Sequence, residues 1–510
     1  MTSDQRLRLL GGDPNDAGAA AALEALDAVR IVVRTGAAVT GPHAVAVAAF
    51  VALVARVFGD VSVPDLPLPP NWWGQPTIRT LLASLQVVRP SPATATTRDV
   101  VVTFGAADAG DWGIGGGDYT VRVGRGPQPI EPAAHALGVH AAACLAVSQL
   151  LLEALAPHGF VGVRLDADYV MNLVDYRTAA AVVQGDAGLP PNAGELLRVA
   201  VAGVGSVGMS VLALLGTAIG PRRTGRRLLR PLLLDVIDDD DIDPGRNPYR
   251  YPALLGTETG AKVAVVRDRL EHVGLDVTVH NTTVAAWVRA AEAPGFDGLL
   301  VSSVDTLDGR AEVADALSRA TVSIGVAGLA LHAQREGFAD GLACPMCDYV
   351  SAAPALSQAG SYAQLTGLAV ARILTLLQPA QRLTAEDLDV AIGAGRLHPD
   401  RRSALVGARL TDLVRQAYAE VALRPAGPAA ETFAIAAPQV SWFGGVLGAV
   451  EVVKQLTGLP LLDRRVDVDL AGLPPGVVRR IPADPTRRCL CWSGTRRRWH
   501  RALYSRAEVA

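Results

Sequence analysis

Charge of neither sign is in excess in this 510-residue chain: 47 Lys and Arg stand against 50 Asp and Glu, a formal net charge of -3. With half of the residues apolar, that balance argues against a disordered tail and against a protein built mainly to coat nucleic acid. Cysteine is scarce, five in all, and four of them form two close pairs, Cys344 with Cys347 and Cys489 with Cys491. In a reducing compartment such pairs point to metal thiolates before disulfides. The opening "MTSDQRLRLLGGDPNDAG" is polar where a secretory signal would be apolar, so a cytoplasmic location is expected.

Long apolar runs are nearly absent too. Mean hydropathy is positive at +0.27, and the windows 36–55 and 132–152 contain no Asp, Glu, Lys or Arg. Polar residues (Thr40 and His43 in one, His135, His140, Ser148 and Gln149 in the other) interrupt both, and Ala and Val outweigh Leu. Buried helices of an α/β core are expected there, not membrane spans. The arginine-rich stretches "PRRTGRRLLR" and "TRRRWHRALYSR" come without a zinc-finger, helix-turn-helix or RNA-recognition pattern. They read as solvated charge, and no nucleic-acid partner is expected.

What is present is a repeated alternation of strands and helices in a chain long enough for two or three packed units. "VRIVVRTGAAVTGPHAVAVAAFVALVARVFGDVSV" reads as strand, glycine turn, helix, strand, and the strands "DVVVTFGAA" and "DYTVRVG" precede a long apolar helix. Residues 1–190 are expected to form one α/β domain. A second begins near Leu196 with a strand, the loop Gly203-x-Gly205-x-x-Gly208 and a helix. Alternating elements imply a mostly parallel, Rossmann-like sheet with helices on both faces. Residues 191–350 are assigned to this second domain, 351–430 to a helical insert, and 431–510 to the remainder of the second domain with a basic tail.

A strand entering Gly-x-Gly-x-x-Gly turns backbone N–H groups and a helix N-terminus towards a phosphate. Alone the loop fits NAD as well as ATP. The acidic run Asp238 to Asp241 is followed by Asn247, Arg250 and Lys262, and "LLVSSVDTLDGR" supplies Asp305 and Arg310 at another strand end. Two cations, an amide and separated carboxylates suit a triphosphate with Mg²⁺, whereas a nicotinamide site needs none of these cations.

This ordered series resembles the ThiF, MoeB and HesA adenylating enzymes, bacterial relatives of the ubiquitin-activating enzymes, over residues 196–350 and 440–492. Tyr251 stands where that family has Gln, and Thr306 where it has Asn. The resemblance implies that Gly203, Gly205 and Gly208 cradle ATP, that Asp239, with Asp241 beside it, binds the ribose, and that Asn247, Arg250 and Lys262 hold the phosphates. Asp305 would hold Mg²⁺. The implied reaction is attack of a carboxylate, at the C-terminus of a ubiquitin-like protein or peptide, on the α-phosphorus, with a conjugating enzyme as a further partner. It also implies that Cys344, Cys347, Cys489 and Cys491 bind a structural Zn²⁺, although the second pair is Cys-x-Cys where the family has Cys-x-x-Cys.

Many relatives carry an acceptor cysteine; between Asp348 and Arg488 this chain has none, and Ser357 stands near the matching place. The enzyme therefore stops at the acyl-adenylate, or Ser357 forms an oxyester, or Cys144 or Cys491 serves. By the same resemblance the first 190 residues are an inactive adenylation-like half of a monomeric pseudo-dimer, or the protein is a homodimer, with Arg6, Arg8 or Arg34 reaching the phosphates. An NAD(P)-dependent oxidoreductase and a non-catalytic, peptide-presenting partner protein are the alternatives.

Overall fold

The computed structural model describes Arg6 and residues 17–86, 88, 98–105, 110–158, 162–178, 197–220, 232–291, 295–338, 340–349, 358–378, 380–414, 437–471 and 478–504. Two compact units share the chain: Ala21–Asp348 with Ala436–Ala510, and Met1–Ala20 with Tyr349–Ile435.

The larger unit holds two sheets. The first comprises β1 (Val29–Thr35), β2 (Asp60–Ser62), β3 (Arg98–Phe104), β4 (Trp112–Gly116), β5 (Thr120–Gly124) and β6 (Tyr169–Asn172), in the order β2-β1-β3-β4-β5-β6. β2, β1, β3 and β4 run parallel; β5 and β6 turn antiparallel. The second contains β7 (Leu197–Ala202), β8 (Leu232–Ile237), β9 (Thr278–His280), β10 (Leu299–Ser302), β11 (Ala320–Ala327), β12 (Ala330–Glu336), β13 (Arg465–Asp469) and β14 (Val478–Arg479), ordered β14-β13-β12-β11-β10-β7-β8-β9. Its strands β9, β8, β7, β10 and β11 are parallel, and β12 to β14 are antiparallel. The expected α/β, mostly parallel architecture is present, with an antiparallel edge on each sheet. In the second that edge starts at the two-residue turn Gly328-Leu329, where Gly328 has φ +60°.

The six-stranded sheet repeats, strand for strand and direction for direction, the run β8-β7-β10-β11-β12-β13. Helices follow the same correspondence. α1 (Pro42–Val57) follows β1 as α3 (Ser206–Ile219) follows β7, and α2 (Leu137–Leu155) follows β5 and α6 (Pro438–Thr457) follows β12. These four helices pack together between the sheets. Their all-round apolar sequences follow from that position, since a helix covered on every side has no polar face to keep. The two uncharged windows fall in α1 and α2. Leu137–His158 is long and apolar enough to cross a membrane, but 78% of its apolar window is buried inside the protein.

β4 was not legible in the sequence, because "WGIGGG" reads as a loop. Its glycines are forced by a neighbour: the chain at 126–129 crosses the strand, so a Cβ at Gly113 would lie 1.8 Å from the Gly126 carbonyl oxygen and one at Gly115 2.3 Å from that of Pro129. In the smaller unit the helices Gln358–Thr366, Val370–Leu376, Ala385–Gly393 and Arg402–Leu405 close around Leu368, Ile373, Leu388, Leu405 and Leu413.

A buried polar lock ties α6 to the end of the first sheet. The Tyr176 hydroxyl donates to Glu451, Lys454 Nζ lies 2.7 Å from Glu451 Oε1 and 4.6 Å from the Tyr176 ring centre, and Leu462 N–H donates to Glu451 Oε2 at 2.7 Å. Both members of the ion pair are fully buried. Glu451→Ala strands the ammonium and is expected to lower stability by about 3–5 kcal/mol in urea unfolding. Arg30→Ala, whose pair with Asp99 is exposed, is expected to leave the midpoint nearly unchanged.

Candidate functional site

β7 lies between β8 and β10, the two strands that leave it on opposite sides, and the crevice at their carboxyl ends is where open parallel sheets bind ligands. The glycine loop lies at this point. Gly203 has φ +86°, and its amide donates to Ile237 O at 2.9 Å. Gly208 packs so closely on the loop that a Cβ there would sit 1.9 Å from Gly203 O. Gly205 differs: with φ -71° it caps α3, and a Cβ would meet nothing nearer than the Tyr251 hydroxyl at 4.0 Å. The first and third glycines are thus required by the protein's own packing, while the second faces open space at a helix N-terminus.

Of the acidic run, Asp238 turns to the loop. It is the first residue past β8, its Oδ2 accepts the Val204 N–H at 2.5 Å, and its Oδ1 accepts the Asp240 N–H at 2.9 Å. Asp239 and Asp241 are exposed, and the Asp241 backbone bridges to Ala261. Lys262, at the first turn of α4 (Lys262–His272), is 5% exposed and reaches Asp240 Oδ2 at 2.6 Å and Asp238 Oδ1 at 3.3 Å. Burial holds the Asp238 carboxyl above its usual range despite the nearby ammonium. Burial also opposes the charge on Lys262, but Asp240 and Asp238 outweigh it and raise its pKa. Asp238 was missed because spacing counted back from Asn247 selects Asp239; the end of the apolar run at Ile237 was the available signal.

Asn247 is spent on its own loop, its Oδ1 accepting the Asp243 N–H at 2.7 Å. Arg250 closes the single helical turn Asn247–Arg250, and its Nε is buried without an acceptor among the described residues. A buried guanidinium donor left open is costly, and an anion at this place would satisfy it. Tyr251 is 7% exposed; burial raises its phenol pKa, with Lys262 and Arg250 acting in the opposite sense, so the hydroxyl lies within the field of both cations. On the far side, Ser303 packs on the loop, its N–H donating to Ala202 O at 2.9 Å and its hydroxyl to Gly203 O at 2.8 Å. This leaves Asp305 exposed at the rim, next to Thr306, which caps α5 (Leu307–Asp315) by accepting the Gly309 N–H at 3.1 Å. Thr306 keeps the capping role that Asn would have.

The four cysteines converge in a second cluster. Cys344 Sγ lies 3.3 Å from Cys489 and 3.8 Å from Cys347, Cys347 lies 3.4 Å from Cys491, and all four sulfurs fall within 4.8 Å of one another. Tetrahedral Zn–S bonds of about 2.3 Å place sulfurs about 3.8 Å apart, so this donor set fits a metal. Backbone N–H groups of Cys344 and Asp484 point at Cys347 Sγ at 3.3 and 3.4 Å, and that of Met346 at Cys344 Sγ at 3.4 Å, the environment of a thiolate. The hydrogen bond with Cys344 brings the Cys347 thiol down to about 7. The one-residue spacing of the second pair is accommodated because Cys489 and Cys491 bracket a tight turn whose start is tied to the Asp484 carboxylate at 2.9 Å. Cys144, fully buried in α2 with its thiol pushed well up by burial, is unsuited to carry an acyl group.

Ser357, Arg8 and the stretch 221–230 lie outside the described residues. Arg34 is exposed on β1, and Arg6 belongs to the smaller unit.

No protein-family model matches the chain, and no curated protein matches it. Among solved structures it is similar to E. coli MccB, at 14% identity over 58% of this chain and 65% of that one, TM-score 0.34. It is also similar to E. coli MccB with ATP (13%, 58% and 66%, TM-score 0.33) and to the microcin C7 biosynthetic enzyme MccB in complex with N-formylated MccA (13%, 58% and 67%, TM-score 0.33). The chain thus spans less than two thirds of the length of the first of these. A likeness this distant carries no argument about function.

The different packing of the glycines is testable by thermal unfolding. Gly208→Ala drives a methyl into the loop and is expected to cost about 1–3 kcal/mol. Gly205→Ala is expected to cost about 1 kcal/mol or less. Its methyl nevertheless occupies the open space at the α3 N-terminus.

Proposed function

We propose that the chain is an ATP-dependent adenylating enzyme of the ThiF, MoeB and HesA type that activates the C-terminal carboxylate of a ubiquitin-like protein or peptide, in a bacterial conjugation or sulfur-transfer pathway. The observation that carries this reading is the Arg250 donor left without an acceptor among the described residues, with Arg250 and buried Lys262 both acting on Tyr251, whose hydroxyl is 4.0 Å from where a Gly205 Cβ would sit. Two cations there suit the run of phosphates of a triphosphate; a nicotinamide half would leave them unused.

In the proposed reaction a carboxylate oxygen of the substrate attacks the α-phosphorus, the bond to the β-phosphate oxygen breaks, and acyl-adenylate and pyrophosphate form. The α3 N-terminus and loop amides bind phosphate oxygens, Arg250 and Lys262 offset the charge that gathers on them in the transition state, and Asp239, or Asp238 beside it at the end of β8, binds the ribose. Asp305 would hold Mg²⁺, which supplies further charge neutralisation when bound. With Cys144 buried and Cys491 in the sulfur cluster, the acyl-adenylate is the proposed end product on this chain. The repeated strand order supports reading the first 190 residues as an inactive second half of a pseudo-dimer. A reducing, cytoplasmic setting suits the reduced cysteines.

ATP–pyrophosphate exchange, with ubiquitin-like proteins and peptides encoded nearby as carboxyl substrates, tests the reading. Exchange that Arg250→Ala lowers by about 100-fold or more is expected, equivalent to the loss of one transition-state charge contact. Absence of exchange together with NADH binding abolished by Gly205→Ala would favour an oxidoreductase instead. Undiminished cellular function after Arg250→Ala and Asp305→Ala would favour a non-catalytic partner protein.

The cysteine cluster is proposed to bind one Zn²⁺ that ties the segment 481–491 to 341–347. Elemental analysis is expected to find about one zinc per chain, lost in Cys489→Ser, and chelation is expected to lower the thermal midpoint without changing the pattern of bound nucleotide. A full-length protein with no metal and an unchanged midpoint under chelator would contradict it.

A further inference from the structure

The loop that carries Arg250 and Tyr251 is held in place by the other sheet's half of the unit. Arg56, in the last turn of α1, is 3% exposed, and no carboxylate pairs with it among the described residues. Its guanidinium donates instead to Pro248 O at 3.0 Å, to Tyr251 O at 3.1 Å and to Leu254 O, with a fourth bond to Ala52 O of its own helix at 2.6 Å. Two tryptophans from the link after β2 complete the set: Trp72 Nε1 donates to Ala253 O at 2.8 Å and Trp73 Nε1 to Pro252 O at 3.3 Å. Five carbonyls of the loop are thus taken up by three side chains from residues 56–73.

The amides of the same loop are fixed from the opposite side. Glu258 accepts the N–H groups of Leu255, Gly256 and Thr257 at 2.9–3.2 Å and pairs with Arg269 at 3.0 Å, whose guanidinium donates in turn to Trp73 O at 3.1 Å. Apart from the turn Asn247–Arg250, this loop has no ladder or helix of its own to set its position. A buried guanidinium that bonds carbonyls instead of a carboxylate is an expensive arrangement, and burial lowers its pKa to about 9 although Glu258 acts on it in the opposite sense, which still leaves it charged at neutral pH. Two of its acceptors, Pro248 O and Tyr251 O, flank Arg250 in sequence.

We propose that Arg56, assisted by Trp72 and Trp73, is a positioning residue through which the N-terminal half sets Arg250 and Tyr251 against the glycine loop and thereby tunes the site for a nucleoside triphosphate. The triphosphate part rests on the adenylation reading; the positioning part stands without it. The N-terminal half then serves the site through backbone hydrogen bonds, not by sending a side chain onto the ligand.

Arg56→Lys keeps a charge but offers a point donor in place of a fork that reaches three carbonyls. Trp72→Phe keeps the ring and removes one donor, and serves where Arg56→Lys fails to fold. In the full-length protein, hydrogen exchange in peptides covering 247–257 is expected to quicken at least about tenfold in Arg56→Lys, and less in Trp72→Phe, with β7 and β10 unchanged. Affinity for ATP is expected to fall about tenfold while affinity for adenosine changes less than about twofold. Unchanged loop exchange in both variants overturns the proposal, and so does an equal loss of ATP and adenosine affinity, which marks general loosening. If the wild-type chain binds no ATP, the adenylation reading fails, and the exchange measurement alone decides the positioning role.

Discussion

The site depends on one buried ion pair: Lys262 drawn against Asp238 at the carboxyl end of β8, with exposed Asp240 beside it and Asp238 bound to the amide of Val204. Lys262 and Asp238 are each costly to bury alone, and together they fix three segments that the sheet brings only near one another. The glycine loop takes its position from Asp238, the start of α4 from Lys262, and the loop between them spans what is left. Arg250 and Tyr251 sit on that span, so where they point follows from how its ends and its carbonyls are held.

The four-helix layer sets the second constraint. Because α1, α2, α3 and α6 bury one another, each half's helices are the other half's core, and donors such as Arg56 can reach across into the loop. Matching strand order in the two sheets makes this layer a pseudo-symmetric contact. Only one half keeps a glycine loop with acidic and basic partners; the corresponding turn of the other, at Gly36 and Gly41, leads into a helix that supplies structural donors.

Much of this was legible from residue patterns. The strand–glycine–helix unit at Gly203, the apolar helices at 42–57 and 137–155, and the pairing of the cysteines all follow from local periodicity and spacing, which the tertiary structure leaves intact. Three features were not. Glycine-rich β4 is a strand because a crossing segment excludes side chains, a cause remote in sequence. Which of the four consecutive aspartates turns to the glycine loop depends on where β8 ends, which spacing from Asn247 does not show. Arg56 and the two tryptophans carry no motif, because their partners are backbone carbonyls almost 200 residues away, and a sequence does not display which carbonyls lack a donor.

Arg250 and Lys262 are proposed to hold the phosphates of ATP. The most direct measurement is a crystal structure with Mg²⁺ and a non-hydrolysable ATP analogue. It should place a phosphate over Gly205, with the Arg250 Nε donor satisfied by a phosphate oxygen and Lys262 Nζ turned from Asp240 towards the phosphates. An analogue bound away from the glycine loop, or bound there with Arg250 still without an acceptor, would contradict that role.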